Sequence, residues 1–366
     1  MLIVAYSNNL HLYVFIKRYK FMVAVTKHGV ILEKTDNSFE NEGVFNPAIF
    51  QDGNMVHMFY RAVRQGNFSS IGYCRLNGPL TVVERAKEPV FYKEKSYEFQ
   101  GVEDPRITKL ADTFYMSYAA YDGINVFGAY ATSKDLKIFE RKGIITPKFT
   151  FEEYAGLIEK TSGKISDEHM KFYLLFIRYK LGDLMKGNIY VWDKNLVFFS
   201  KKINGKFAVL HRLYPSVQLL YFDDPAELTI EFWKDYVSNL HKHVVLLPKG
   251  THESSHIGAG APPIETEFGW LLIYHSAQHT AKGLIYYACA ALLDLENPKK
   301  VIGRLKEPLF SPTEKWEKEG YVNNVVFPTG TALFKGDLYI YYGAADSRVA
   351  VASVNLNALL QQLKNQ

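Results

Sequence analysis

What most constrains the fold of this 366-residue chain is a strand pattern that recurs five times. Its middle strand runs Met55–Ala62 after the turn Asp52-Gly53, and returns at Thr113–Ala120, Phe207–Arg212, Trp270–Ala277 and Leu338–Ala345. A leading strand precedes each copy, at Asn46–Ile49, Asp104–Ile107, Phe199–Ile203, Ala261–Ile264 and Phe327–Gly330. A third strand rich in small residues follows, at Ile71–Cys74, Val126–Ala129, Val217–Tyr221, Tyr287–Ala290 and Val349–Ala352. An antiparallel unit repeated at intervals of roughly sixty to ninety residues cannot bury both its faces alone; stacking such units radially closes the core. The expected fold is therefore all-β, a five-bladed β-propeller whose leading strands meet one rim of a central channel.

Helical periodicity interrupts the repeat in two places and ends it in a third. Phe151–Lys160 predicts a helix inside the insertion Thr146–Asp193, Pro225–His243 predicts another, and Asn355–Leu363 predicts an amphipathic closing helix. Residues 1–21 stand apart. Their apolar runs, Met1–Tyr6 and Leu10–Ile16, are short, and basic residues follow rather than precede them. That fits neither a signal peptide nor a spanning helix. The reading is an N-terminal extension over 1–21 and one propeller domain over 22–366.

Charge narrows the function. The chain has 43 basic and 38 acidic residues without blocks of either, so nucleic acid is not an expected partner and neither is a membrane. Cys74 and Cys289 are the only cysteines. Two lone thiols suit a reducing compartment, and a cytoplasmic location is expected.

The densest chemistry lies in Gly101-Val102-Glu103-Asp104-Pro105-Arg106-Ile107. The proline predicts an extended backbone at Asp104, with Arg106 two residues on and on the same face. Paired carboxylates of this kind can raise one pKa and make a proton donor. The alternative is a strand-start salt bridge with Arg106. Aligning the repeats brings Asn46 and Arg61, Asp104 and Arg106, Arg212, then Glu253, His256 and His275, and finally Asp346 to comparable points. Singly each suits a structural role; together, on one rim, they predict a polar pocket. With abundant aromatic residues the pocket suits carbohydrate. Glycosidic cleavage needs an acid, here Asp104, and a base for water, for which Glu253 is the candidate. Glu253 could instead cap a loop or pair with His252. His252, Glu253 and His256 miss the His-Glu-x-x-His zinc spacing by one residue. Gly258–Pro263 ends in prolines that forbid a dinucleotide-binding helix. No metal and no cofactor are expected.

The strings Gly101–Ile107, Ile257–Pro263, Gly269–His275, Ala291–Pro298 and Tyr341–Asp346 together resemble glycoside hydrolase family 130, from about Met22 onward. That family comprises inverting β-mannoside phosphorylases and β-1,2-mannosidases on five-bladed propellers. The resemblance implies that Asp104 donates the proton through a sugar hydroxyl. It also implies that Arg61, Asp122 with its neighbour Tyr121, His275 and Asp346 line the sugar or phosphate pocket. Two departures bear on the nucleophile. Phe199-Ser200-Lys201 stands where phosphorylases often have Phe-Pro-Arg, and His256 where they often have lysine. Arg212 and His275 remain. Losing a guanidinium fork and an ammonium weakens an anion site. The expectation is accordingly hydrolysis of a β-linked manno-oligosaccharide, with Glu253 as base. One alternative is phosphorolysis with inorganic phosphate as co-substrate, Lys201 filling the arginine's place; another is a non-catalytic carbohydrate-binding propeller. A homo-oligomer stays open.

Overall fold

Strand alternation sends successive side chains to opposite faces, and here both faces of every sheet find a neighbour. The computed structural model describes residues 23–161 and 189–366, with Asp167 and Lys171 between them. Strand β1 (Val25–Leu32) comes first. Unit 1 follows as β2 (Gly43–Asp52), β3 (Met55–Arg64), β4 (Phe68–Asn77) and β5 (Thr81–Arg85). Unit 2 is β6 (Gly101–Leu110), β7 (Thr113–Tyr121), β8 (Val126–Ser133) and β9 (Glu140–Ile144). Unit 3 is β10 (Asp193–Phe198), β11 (Phe207–Leu213), β12 (Val217–Phe222) and β13 (Val244–Leu246). Unit 4 is β14 (His256–Ala259), β15 (Ile264–Thr266), β16 (Gly269–Thr280), β17 (Gly283–Leu293) and β18 (Val301–Arg304). Unit 5 is β19 (Val326–Phe334), β20 (Asp337–Ala344) and β21 (Arg348–Asn355), and β1 completes it by pairing antiparallel with β21. Units 1 and 2 join into one sheet through a single parallel pair, Ser69 with Gly101.

Packing is cyclic. Phe59 and Ile71 of unit 1 share a buried cluster with Met116, Tyr118 and Ala129 of unit 2. Tyr130 joins Leu196, Phe198 and Val209 of unit 3, covered by the helices Phe151–Ile158 and Ile230–Ser238. Leu210 and Leu219 meet Trp270, Leu272 and Tyr274 of unit 4. The alternate residues Leu271 and Ile273 meet Leu338, Ile340 and Tyr342 of unit 5, together with the closing helix Leu356–Lys364. Tyr341 and Val351 then return to Val56, Met58 and Tyr60 of unit 1. The predicted helices are present where they fall on described residues; the rest of the Thr146–Asp193 insertion and residues 1–21 lie outside them. Among the described residues no helix is long and apolar enough to cross a membrane.

Two leading strands differ from expectation. In unit 3 it is β10, ending at Phe198 rather than starting at Phe199, and in unit 4 it is β14 rather than Ala261–Ile264. Each unit also carries a buried acid that the sequence reading did not assemble. Glu40 accepts from Tyr60 at 2.8 Å and pairs with Arg85 at 2.9 Å. Glu98 does the same with Tyr118 (2.7 Å) and Arg141 (3.1 Å), and Glu317 with Tyr342 (2.7 Å) and Lys27 (2.6 Å). In unit 4 the trio is Glu253, Tyr274 (2.9 Å) and Arg304 (2.6 Å). In unit 3, Asp193 and Tyr236 hold the two nitrogens of His211 at 2.8 and 2.7 Å. In units 1, 2, 4 and 5 the tyrosine sits on the middle strand and the cation on the outer one, so the trio ties the sheet's outer edge to its centre; in unit 3 the tyrosine comes from the helix Ile230–Ser238.

Candidate active site

Three leading strands bend at the same point, and the bend aims their polar residues inward. Asn46, Asp104 and Asn195 all have left-handed backbone, with φ of 50°, 49° and 58°. Each sits where pairing with the middle strand slips, between Phe45 and Ala48, Glu103 and Arg106, and Lys194 and Val197. These are β-bulges, and asparagine and aspartate tolerate that conformation better than other side chains. The extended backbone expected at Asp104 is thus corrected. Proline bars the preceding residue from the right-handed helical region but leaves the left-handed one open. The bulge also parts Arg106 from the face of Asp104. Arg106 is buried, donating to Gly260 O at 2.5 Å and to Asp104 O at 2.9 Å. Burial pulls its guanidinium down to about 10.

Around these bulges lies a cavity of about 130 Å³. Asn46, Arg61, Asp104 and Asp346 form one wall; Lys194, Asn195, Arg212 and His256 form another, with Tyr214, Tyr286 and Phe327 between. Asp346 is placed by a tight turn in which Ala345 (φ 49°) and Asp346 (φ 47°) are both left-handed and Ser347 N donates to Ala344 O at 3.1 Å. Positive φ at both central residues is the mark of a type I′ turn.

The charges on the first wall are unequal. Asn46 donates to Asp104 Oδ1 at 2.8 Å, and Arg61 lies 3.6 Å from the same oxygen while gripping Glu103 at 2.6 Å. Burial pushes the Asp104 carboxyl up, but Arg61, Lys194, Arg106 and the Asn46 bond outweigh it and hold it below the ordinary value. Asp346 goes the other way. Burial, with the Asp104 and Glu103 charges, pushes it up to about 6 against the pull of Arg61 and Lys194.

The second wall is cationic. Arg212, buried, donates through Nη1 to His275 Nε2 at 3.0 Å and through Nη2 to the Tyr214 hydroxyl. His275 lies one layer behind, its ring 4.2 Å from that of Phe327. Burial, followed by Arg212 and neighbouring cations, pushes both His256 and His275 well below the ordinary histidine range. Both are therefore neutral, and Lys194 and Arg212 carry the positive charge. Gly258 makes the approach of these groups feasible. A Cβ there would sit 2.4 Å from Asn195 Nδ2 and 2.5 Å from His275 Cε1.

Of the residues singled out from the sequence, Asn46, Arg61, Asp104, Arg212, His256 and Asp346 converge on this cavity. His275 and Arg106 stand behind it. Tyr121 and Asp122 do not line it. Asp122 caps its own turn, accepting from Ile124 N at 2.8 Å and Asn125 N at 2.6 Å, and Tyr121 donates to Gly123 O at 2.8 Å. Glu253 is absent from the lining and 1% exposed. Both its oxygens face Arg304, at 2.7 and 2.6 Å, rather than the cavity. Burial raises its pKa, yet the His252 and Arg304 contacts bring it below the ordinary value, which makes it a poor base. Lys201, the expected stand-in for the missing arginine, is half exposed and pairs with Glu265. Sequence reasoning missed Lys194, Asn195, Tyr214 and Tyr286. The signal for the first two was the Lys194-Asn195 dipeptide, a third polar left-handed position after Asn46-Pro47 and Asp104-Pro105.

Comparison with known proteins adds a second line. The profile of a glycoside hydrolase family described as beta-1,4-mannooligosaccharide phosphorylase matches residues 23–186 and 180–365. A 1,2-beta-oligomannan phosphorylase of Thermoanaerobacter sp. (strain X514) is 34% identical over 339 residues, covering 89% of this chain and 95% of the relative. A beta-1,2-mannobiose phosphorylase of the same strain is 32% identical over 336 residues, covering 87% and 92%. Among solved structures, the beta-1,2-mannobiose phosphorylase of Listeria innocua with bound beta-1,2-mannobiose has a TM-score of 0.68 at 21% identity, covering 93% of this chain and 99% of that one.

Proposed function

The chain belongs to glycoside hydrolase family 130, and on that premise we propose that it is an inverting phosphorylase of β-1,2-linked manno-oligosaccharides built as a five-bladed propeller. The cyclic packing of the five strand units supports the architecture. The observation that carries the reaction is the cationic wall: Lys194 and Arg212 line the cavity together with Asp104. Two fixed positive charges in a small, poorly solvated space suit a phosphate anion far better than a neutral water. The base first expected for hydrolysis, Glu253, is taken up by Arg304. The curated relatives named above are phosphorylases, which favours the same alternative.

In this reading the terminal mannose occupies the cavity between the two walls. A phosphate oxygen held by Lys194 and Arg212 attacks C1 as the C1–O bond to the next sugar breaks, its electron pair going to the leaving oxygen. Asp104 supplies the proton that oxygen needs, relayed by a sugar hydroxyl, and is reprotonated from solvent. The β-linkage becomes α-mannose 1-phosphate, and the shortened saccharide leaves with a free hydroxyl. Phosphate also arms the acid. Its negative charge opposes the pull of Arg61 and Lys194 on Asp104 and so raises the carboxyl's proton affinity when the co-substrate is present.

The test is β-1,2-mannobiose with and without phosphate. Mannose 1-phosphate forming only with phosphate is the expected result, and Asp104→Asn slows it by at least about a hundredfold, the usual worth of a general acid. Mannose released equally fast without phosphate, with no mannose 1-phosphate, overturns the reading in favour of hydrolysis.

A further inference from the structure

Among the described residues, unit 3 departs from the acid–tyrosine–cation trio of the other four units, and it is the unit that supplies Lys194 and Arg212 to the cavity. The two cations face each other across the ladder. Lys194 pairs with Arg212 and Asp193 with Leu213, then the register slips at the Asn195 bulge and pairing resumes only at Val197. Two residue pairs therefore join this end of β10 to β11.

A side chain adds to that tie. Asp193, fully buried, accepts from Arg212 N at 3.2 Å through Oδ1, and its Oδ2 lies 2.8 Å from His211 Nδ1. The other nitrogen of His211 lies 2.7 Å from the Tyr236 hydroxyl, which donates to Leu219 O at 3.0 Å. A hydroxyl has a single proton, so here Tyr236 accepts and His211 Nε2 donates. Tyr236 belongs to the inserted helix Ile230–Ser238; the His243 ring stacks on it at 3.9 Å, and Trp233 meets His211 edge-on at 5.7 Å. The bonded chain thus runs from that helix to the residue before each cation, Asp193 ahead of Lys194 and His211 ahead of Arg212. None of its three members lines the cavity. A buried polar network with its partners in place is rigid.

We propose that Asp193, backed by His211 and Tyr236, is a positioning residue for the phosphate co-substrate: it fixes the spacing of Lys194 and Arg212 and touches neither substrate. The inference rests on the phosphorolysis proposed above. The opposite wall, Asn46, Arg61, Asp104 and Asp346, belongs to units 1, 2 and 5, so slack in unit 3 falls on phosphate before it falls on the sugar. Small misplacements of such groups are costly.

The test compares the KM for inorganic phosphate, in phosphorolysis of β-1,2-mannobiose, with the calorimetric Kd for the same disaccharide without phosphate. Asp193→Ala is expected to raise the phosphate KM about tenfold, the effect of losing a buried hydrogen bond, while the disaccharide Kd stays within about twofold. Asp193→Asn should return the phosphate KM to within about threefold of wild type, because its amide oxygen still accepts from Arg212 N and its nitrogen can donate to His211 Nδ1. Tyr236→Phe keeps the ring packing, is expected to raise the phosphate KM about threefold, and carries the test if Asp193→Ala does not fold. A lowered melting temperature with the phosphate KM unchanged overturns the proposal. So does a phosphate KM that rises only in step with the disaccharide Kd, or an Asp193→Asn variant as impaired as Asp193→Ala. In each of those cases wild type still depends on phosphate; a wild type that does not overturns the reaction assigned above, and this inference with it.

Discussion

Asp104 and Asp346 share Arg61 and one cavity wall, and their proton affinities are driven apart. Asp104 is pulled below the ordinary carboxylate value while burial and its neighbours push Asp346 up to about 6. In the free site a proton taken up near pH 6 therefore belongs to the pair and resides mainly on Asp346. This has a consequence for stability. Unfolded, Asp346 titrates near 3.8; folded, near 6. Between those values the folded state binds more protons, so stability falls as pH rises through the window and stays lowered above it. Asp346→Asn removes the buried charge. Its melting temperature should match wild type at about pH 3.5, rise above it progressively, and hold a constant gain beyond about pH 7, while phosphorolysis falls. Scanning fluorimetry across that range checks this; a gain already complete at the acid end would refute it.

Among elements, the instructive case is the acid–tyrosine–cation trio. Glu253 looks catalytic in isolation, beside a histidine and ahead of a glycine-rich turn, yet it repeats the role of Glu40, Glu98 and Glu317. Glu253→Gln leaves Arg304 buried without its counter-charge, a change that typically costs about 3–5 kcal/mol. The expected outcome is a melting point lowered by several degrees with turnover per folded molecule retained. Loss of turnover at unchanged stability would return Glu253 to the site. The trio was visible in principle, because an acid precedes each middle-strand tyrosine by a similar interval. Its meaning was not, since Arg85, Arg141 and Arg304 lie far along the chain on outer strands.

The whole molecule depends on closure. Strand β1 is the first described element, but it pairs with β21 of the last unit and delivers Lys27 to Glu317. Removing the chain through Leu32 would bare the edge of β21 and strip Glu317 of its cation. Such a truncation should lose the single cooperative melting transition of the full chain or fail to remain soluble. An unchanged melting curve would mean that closure contributes little. An unpaired edge beside a buried charge is costly on both counts.

The amino-acid order alone determined the repeated strands, the closing helix and the presence of an acid at Asp104, because alternation, capping and turn chemistry act over a few residues. It also carried the motifs by which the family is recognised. It pointed to water as the nucleophile with phosphate as the alternative, and it could not weigh the two well, since that depends on which cation reaches the cavity. Only the tertiary structure brought Lys194 to the cavity and left Lys201, seven residues on, outside its lining: a bulge turns the first inward, while the second lies past the strand end and pairs with Glu265. Backbone register and contacts between distant strands settle such matters, and neither is encoded in any short stretch.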